Sequence, residues 1–195
     1  GTCYAGQNNA TKACDFTSTG LKSSLKSLID DALWNTGSNG AEVAYTAITT
    51  SKFYELERSN NTGKICTSGQ YCNDPLGRTT AWKGLVGLMY PSDYGYATGG
   101  GNYKREYCLS QNLASWNNYA ECYKDDWLYI SADHQWTITP VATDVAYGVA
   151  IIDRTAFLNG SHASVARSVR PTVYLKSNVQ ILSGEGSSTD PFILG

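Results

Sequence analysis

Two stretches of the chain carry apolar residues at the spacing of an amphipathic helix. In the first, residues 21–33, leucine and isoleucine return every three or four positions, and Gly37 follows as a stop signal. This pattern predicts a helix of about four turns that buries one face and serves as scaffold. The second stretch, residues 108–122, has Leu113 and Trp116 at helical spacing. It predicts a helix whose ends are joined by a disulfide between its own cysteines.

β-branched and aromatic residues dominate the chain after these helices and predict antiparallel strands. Helices followed by strands indicate an α+β domain, and 195 residues suit a single domain, 1–195, with an N-terminal loop and helix at 1–40 and a strand-rich half at 126–195. The expected strands are a buried one at 82–89, three at 127–140, 146–153 and 169–179, a short closing strand after a Gly/Ser turn in 183–195, and a strand leading into a short helix at 41–58.

The six cysteines fall into three neighbouring pairs within polar segments. Pairing between neighbours closes short loops without long-range reorganisation, so we expect it, although other pairings are open. The two histidines, His134 and His162, are not at ligand spacing from a cysteine, and neither a metal nor another cofactor is expected. Disulfides indicate an oxidising compartment and therefore an extracellular or cell-surface location. The expected bridges are Cys3–Cys14, Cys66–Cys72 and Cys108–Cys122.

Composition and charge argue against two classes of partner. The net charge is −2 and the chain has no long run of Lys or Arg, so a nucleic acid is not an expected partner. The uncharged apolar stretches are far shorter than the roughly 20 residues that cross a bilayer. No membrane span or signal peptide is expected within the residues given, and any export signal or anchoring helix would have preceded Gly1.

A few polar residues could be combined into a catalytic site, but turns and solvated charges explain them better. Ser92, Asp93 and His134 would make a Ser/His/Asp triad, yet no G-x-S-x-G elbow surrounds the serine. Serine and aspartate after a proline are typical of a turn or helix cap. The adjacent aspartates at 30–31 and 125–126 would suit general acid/base chemistry, but the pattern places them on a polar helix face and beside a loop. The sequence therefore predicts no enzymatic activity.

The motifs of the C-terminal half resemble a known family. WTITP at 136–140 and SVRPTVYLKSNV at 168–179 look like strand motifs of C-type-lectin-like domains of the formylglycine-generating-enzyme type. Upstream, GLVGLMYPSDYGYAT at 84–98, CLSQNLASWNNYAEC at 108–122 and DWLY at 126–129 are similar to exported bacterial proteins that share this ending, some with pilin-type leaders. The resemblance covers nearly the whole chain and implies a C-type-lectin-like fold.

Several proteins of this kind are variable proteins of diversity-generating retroelements, in which codons near the C-terminus are randomised on a fixed scaffold. Residues 141–168 stand where such a variable region would lie. The resemblance implies an extracellular ligand-binding or adhesin domain whose partner is a protein or glycan on another cell, a phage or a host surface. The expected recognition residues are Asp144, Val145, Tyr147, Ala150, Asp153, Arg154, Phe157, Asn159, Ser161, His162, Ser164 and Arg167.

Strand alternation supports such a surface. It would send Val149 and Ile151 to one face, which anchors the hairpin. Tyr147, Ala150 and Ile152 would lie on the opposite face, which is free, with the loops of 153–167, to meet a ligand. Two alternatives remain open. A pilin-like or surface-layer subunit would use the same hairpin to self-assemble, and an oxidase related to formylglycine-generating enzymes would need a free thiol.

Overall fold

The computed structural model describes residues 21, 23–35, 48–57, 81–141, 148–187 and 189–195. Within these ranges the helices are short. They are α1 Ser23–Lys26, α2 Thr50–Glu57, α3 Pro91–Tyr96, α4 Arg105–Ser110 and α5 Ala120–Lys124, with 3₁₀ helices at Gly101–Tyr103 and Leu113–Asn118.

The strands form small antiparallel sheets. Their bounds are β1 Ala32–Asn35, β2 Ala81–Gly84, β3 Gly87–Leu88, β4 Gln135–Pro140, β5 Gly148–Ile152, β6 Leu158–His162, β7 Pro171–Thr172, β8 Ile181–Ser183 and β9 Ile193–Leu194. Strands β4, β5 and β6 make a three-stranded sheet with β5 in the centre, and β1 pairs with β2, β3 with β7 and β8 with β9. This is an α+β arrangement, as the sequence predicts.

The predicted four-turn helix over residues 21–33 is wrong. Helix α1 makes a single turn, and β1 begins at Ala32. The backbone between them is paired with a distant segment instead: Asp30 N donates to the carbonyl of Tyr174 and Lys176 N donates to the carbonyl of Leu28, both at 2.8 Å. These long-range bonds use backbone groups that a continuing helix would need, so tertiary pairing overrides the helical spacing.

The prediction of one helix over residues 108–122 is also wrong, because the stretch is divided into the end of α4, a 3₁₀ helix and the start of α5. The Cys108–Cys122 disulfide itself is confirmed, with a Cα–Cα distance of 5.5 Å. A straight α-helix would separate the two residues by about 21 Å, so one helix and this bridge exclude each other. The chain turns at Gln111, which has extended backbone angles. Cys3–Cys14 and Cys66–Cys72 lie outside the described residues.

Other expectations are met in part. The buried strand over residues 82–89 is divided into β2 and β3, which belong to different sheets. The short helix expected at the end of 41–58 is confirmed by α2, whereas residues 41–47 lie outside the described ranges. The closing strand is confirmed by β9. The long strands expected at 127–140 and 169–179 shrink to β4 and β7.

The hydrophobic core lies between the central sheet and the helices α2 to α5. Trp116 and Tyr94 are fully buried at its centre, with ring centroids 5.2 Å apart. Both sulfurs of the confirmed bridge belong to residues of this core, as do Ala150 and Ile152 of β5. Among the described helices, none has the length and apolar character to cross a membrane.

Candidate functional site

Strand β5 places the middle of the predicted recognition region inside the molecule. Ala150, at 1% exposure, and Ile152 pack into the core, and Ile151 on the other face is buried as well. The prediction that Ala150 and Ile152 face outward is therefore wrong. The strand is a continuous apolar run at the centre of a sheet, and such runs are covered on both faces.

The turn after β5 is fixed by hydrogen bonds from side chains. Asp153, at 9% exposure, accepts hydrogen bonds from the N and Oγ1 atoms of Thr155 at 2.9 and 2.7 Å. The phenols of Tyr94 and Tyr129 donate to turn carbonyls at 2.9 and 2.8 Å. Asp153 is thus a structural group of the turn, whereas the side chain of Arg154 is exposed.

The other predicted recognition residues that fall within the described ranges differ in exposure and in their place along the chain. Residues 158–162, expected within a loop, form β6 and pair with β5 along their whole length. Arg154 and His162 are exposed, but they lie at opposite ends of β6. Asp144, Val145 and Tyr147 lie outside the described residues. The half-buried members are Phe157, Asn159, Ser161, Ser164 and Arg167.

A polar cluster joins the start of β4 to the segment before β7. His134 Nδ1 lies 3.1 Å from Asp153 Oδ2, and Ser168 Oγ donates to Asp133 Oδ2 at 2.5 Å. Burial disfavours the charged form of Asp153, but the hydrogen bonds from Thr155 and the charge of His134 outweigh it and lower the pKa of Asp153. The cluster ties two chain segments together at the edge of the central sheet.

The three residues of the conceivable triad belong to separate networks. Ser92 is buried and donates to the carboxylate of Glu57. Asp93 accepts a hydrogen bond from Tyr90 N at 2.9 Å at the start of α3, and His134 faces Asp153. Among the described residues, no group of three or more His, Cys, Asp or Glu is arranged to hold a metal ion.

A cleft of about 580 Å³ opens on another part of the surface. Its volume lies within the range of small-molecule sites, and its walls include four aromatic residues. We call it the aromatic cleft. It is lined by Trp34, Met89, Asp93, Tyr96, Ala97, Trp127, Leu128, Arg170, Pro171, Thr172, Val173 and Tyr174.

The back wall of the aromatic cleft is built around Trp34. Its indole Nε1 donates to the carbonyl of Gly84 at 2.8 Å, and its ring centroid lies 4.7 Å from that of Tyr174. A Cβ atom at Gly87 would stand 2.7 Å from the Trp34 ring, so only glycine permits this close approach. The wall is therefore fixed before any ligand arrives.

The floor of the aromatic cleft, residues 170–174, is held by backbone pairing on two sides. Pro171 and Thr172 form β7 and pair with β3. On the other side, the carbonyl of Tyr174 accepts a hydrogen bond from Asp30 N at 2.8 Å. The segment that carries Arg170 into the cleft is consequently anchored rather than a free loop.

Trp127 stands at the rim of the aromatic cleft on a tight turn. Asp126 N donates to the carbonyl of Tyr123, and Tyr129 N donates to the carbonyl of Asp126, which fixes the backbone on both sides. The carboxylate Oδ1 of Asp126 also accepts a hydrogen bond from Leu128 N at 2.8 Å. The turn leaves the Trp127 side chain 75% exposed, more than any other large apolar residue described.

The carboxyl of Asp126 supports this turn from inside the protein. Asp126 is only 5% exposed, and its Oδ2 atom has no hydrogen-bond partner in the described structure. Burial raises the pKa of Asp126 to about 8, against the smaller opposing effects of backbone hydrogen bonds and the charge of Arg170. At neutral pH most molecules therefore carry this group protonated.

Sequence reasoning missed the aromatic cleft because its residues come from four distant segments. In the sequence, the motifs DWLY and VRPTVY, which supply Trp127 and the floor, carry the family resemblance, and that resemblance implies recognition at 141–168 instead. Two signals point to them. Trp127 directly follows two charged residues, Asp125 and Asp126, and Val169-Arg170-Pro171 places a cation beside a residue that favours sheet edges.

Comparison of the chain with protein-family models, with curated proteins and with solved structures found no match.

Proposed function

We propose that the chain is an extracellular ligand-binding domain, of the adhesin type, that holds its ligand in the aromatic cleft. The observation that carries the proposal is the 75% exposure of Trp127 beside a cavity with anchored walls. A large apolar ring left in water forgoes about 1.5 to 3 kcal/mol of burial free energy. Exposed tryptophans on rigid supports are typical centres of binding surfaces.

A C-type-lectin-like fold is part of this proposal. It is supported by the way the two resembling motifs meet: Trp136 N of WTITP donates to the carbonyl of Ser168 at 2.9 Å, and Ser168 N donates to the carbonyl of His134 at 3.0 Å. The motif strand β4 and the segment that opens VRPTVY are thus neighbours. A diversified surface on 141–168 is the rival to the aromatic cleft as the binding site, and Arg154 and His162 are its clearest exposed members.

A structural subunit is the second candidate, and one observation favours it. The C-terminal hairpin β8–β9 exposes Ile181, Leu182, Phe192 and Ile193 by 51 to 64%. Adjacent exposed apolar residues on a two-stranded hairpin are suited to pairing with another chain. Concentration-dependent association in sedimentation velocity would support this candidate, and a monomer at high concentration would support the ligand-binding domain.

Trp127→Ala is expected to abolish ligand binding with little loss of stability. The side chain is largely exposed, so its removal should change the free energy of unfolding by no more than about 0.5 kcal/mol, whereas a stacking ring at a binding centre contributes about 2 kcal/mol or more. Binding is measured on an array of surface glycans, and the melting temperature on the same samples.

Two matched variants decide which surface binds. Trp127→Phe keeps an aromatic ring and should retain most of the signal. Arg154→Ala removes an exposed side chain on the turn after β5 and should leave binding unchanged. Loss of binding in Arg154→Ala with full binding in Trp127→Ala would overturn the aromatic cleft as the site and favour the 141–168 hairpin.

A further inference from the structure

We propose that the ligand of the aromatic cleft is an acidic saccharide, whose ring stacks on Trp127 and whose carboxylate binds Arg170. This inference rests on the proposed function and adds the chemical class of the ligand. It follows from the charge and the hydrogen-bonding groups of the cleft.

Arg170 is the source of positive charge in the aromatic cleft. Of the described residues that line the cleft, it is the single cation, and it is partly buried. Its guanidinium makes no hydrogen bond or ion pair with any described residue. A guanidinium fork without partners at a partly buried position matches the geometry of a carboxylate.

The carboxyl of Asp126 does not cancel this charge. Asp126 interacts electrostatically with Arg170, but its burial keeps it mostly protonated at neutral pH. Asp93, the one carboxylate among the described lining residues, has its Oδ2 atom engaged by Tyr90 N at the start of α3. The positive charge of Arg170 is therefore available to an anionic group of the ligand.

The remaining polar groups favour a saccharide over an aromatic acid. The hydroxyl of Thr172 and the phenols of Tyr96 and Tyr174 are hydrogen-bonding groups of cleft residues. A flat aromatic acid would offer these hydroxyl groups a partner only at its carboxylate, and polar groups that lose water without gaining a partner lower affinity. A sugar ring presents C–H bonds to an aromatic face and hydroxyls around its edge. It can therefore contact both the aromatic rings and the hydrogen-bonding groups of the cleft.

The test is a calorimetric titration of the folded chain with a glucuronic acid-terminated disaccharide and with its glucose-terminated analogue. We expect the acidic sugar to bind at least tenfold more tightly. Arg170→Gln should lower its affinity about 10- to 100-fold, the value of a charge-assisted hydrogen bond, and leave the affinity for the neutral sugar unchanged. Arg170→Lys should recover only part of the loss, because it keeps the charge without the fork.

Controls separate this inference from the proposed function. Arg154→Gln removes an exposed arginine outside the cleft and should not change either affinity. Equal binding of the two sugars, or an acidic sugar that binds Arg170→Gln as well as the wild type, would overturn the acidic ligand while leaving the cleft as a binding site. A third probe is indole-3-acetate, an aromatic acid. If it bound in a way that depends on Arg170 while neither sugar bound, the ligand would be an aromatic acid and the inference would be overturned. Failure of all three probes at millimolar concentration would overturn it as well, and the Trp127 variants would still test the cleft.

Discussion

Asp126→Asn should remove most of the pH dependence of stability between about pH 4 and pH 8. In the unfolded chain the carboxyl has its ordinary pKa of 3.8, and in the folded protein burial raises the pKa to about 8. Between these values the folded protein holds a proton that the unfolded chain has released. Raising the pH in this window therefore favours unfolding, by roughly 1 to 2 kcal/mol for each pH unit.

The contribution of the protonated Asp126 is fully present below about pH 4 and is lost as the pH rises through about 8. Asparagine is neutral throughout, and its Oδ1 atom can still accept the hydrogen bond from Leu128 N. The variant should match the wild type near pH 4 and exceed it by several kcal/mol at pH 9. Urea unfolding at a series of pH values measures both curves.

Asp30→Asn is the matched control, because Asp30 is an exposed aspartate of a nearby segment. It should leave the slope of the wild type intact. A wild-type curve that is flat from pH 4 to pH 8, or a slope that persists in Asp126→Asn, would contradict the assignment of this proton to the carboxyl below Trp127.

Trp116→Ala should lower the free energy of unfolding by about 3 to 5 kcal/mol. The side chain is fully buried, packs against Tyr94 and lies in the same core as the Cys108–Cys122 bridge. Removing it leaves a cavity that the surrounding helices, tied by the disulfide, cannot fill by collapsing. Since a domain has about 5 to 15 kcal/mol in total, this loss is a large share and should be evident in urea unfolding.

Trp116→Phe separates the cavity from the polar part of the indole. The Nε1 atom of Trp116 is buried without a hydrogen-bond partner in the described structure. Phenylalanine removes this unpaired donor and restores part of the volume, so the loss should fall to less than half that of the alanine variant. Equal losses in the two variants would mean that the indole N–H is bonded and that the core packing is not the main contribution.

The sequence predicts the α+β class and one disulfide because both depend on local signals. After residue 126 the sequence becomes rich in β-branched and aromatic residues, which indicates strands. Cys108 and Cys122 are close enough along the chain for pairing between neighbouring cysteines. The predictions of the two helices are wrong because the spacing of apolar residues does not show which backbone groups will pair with distant segments. Backbone groups of 28–30 pair with 174–176, and the disulfide forces the 108–122 stretch to fold back.

The site was harder to predict than the fold class. The place of residues 141–168 between two motifs predicts a recognition surface there, yet Ala150 lies in the core and Asp153 is held by Thr155. Whether a strand is covered on one face or two depends on its place in the sheet, which alternation along a single strand does not reveal. The aromatic cleft combines Trp34, Trp127 and Arg170 from segments that only the folded backbone brings together.

The most direct test of the cleft as the binding site is to map a bound ligand by NMR. The isotope-labelled protein is titrated with a ligand from the glycan array, and amide shifts are followed along the chain. Binding in the cleft predicts that the largest changes cluster at Trp127 and at residues 170–174, together with the indole signal of Trp34. The cleft would be contradicted as the binding site if the largest shifts were centred on residues 153–167 and the signals of Trp34, Trp127 and residues 170–174 did not change.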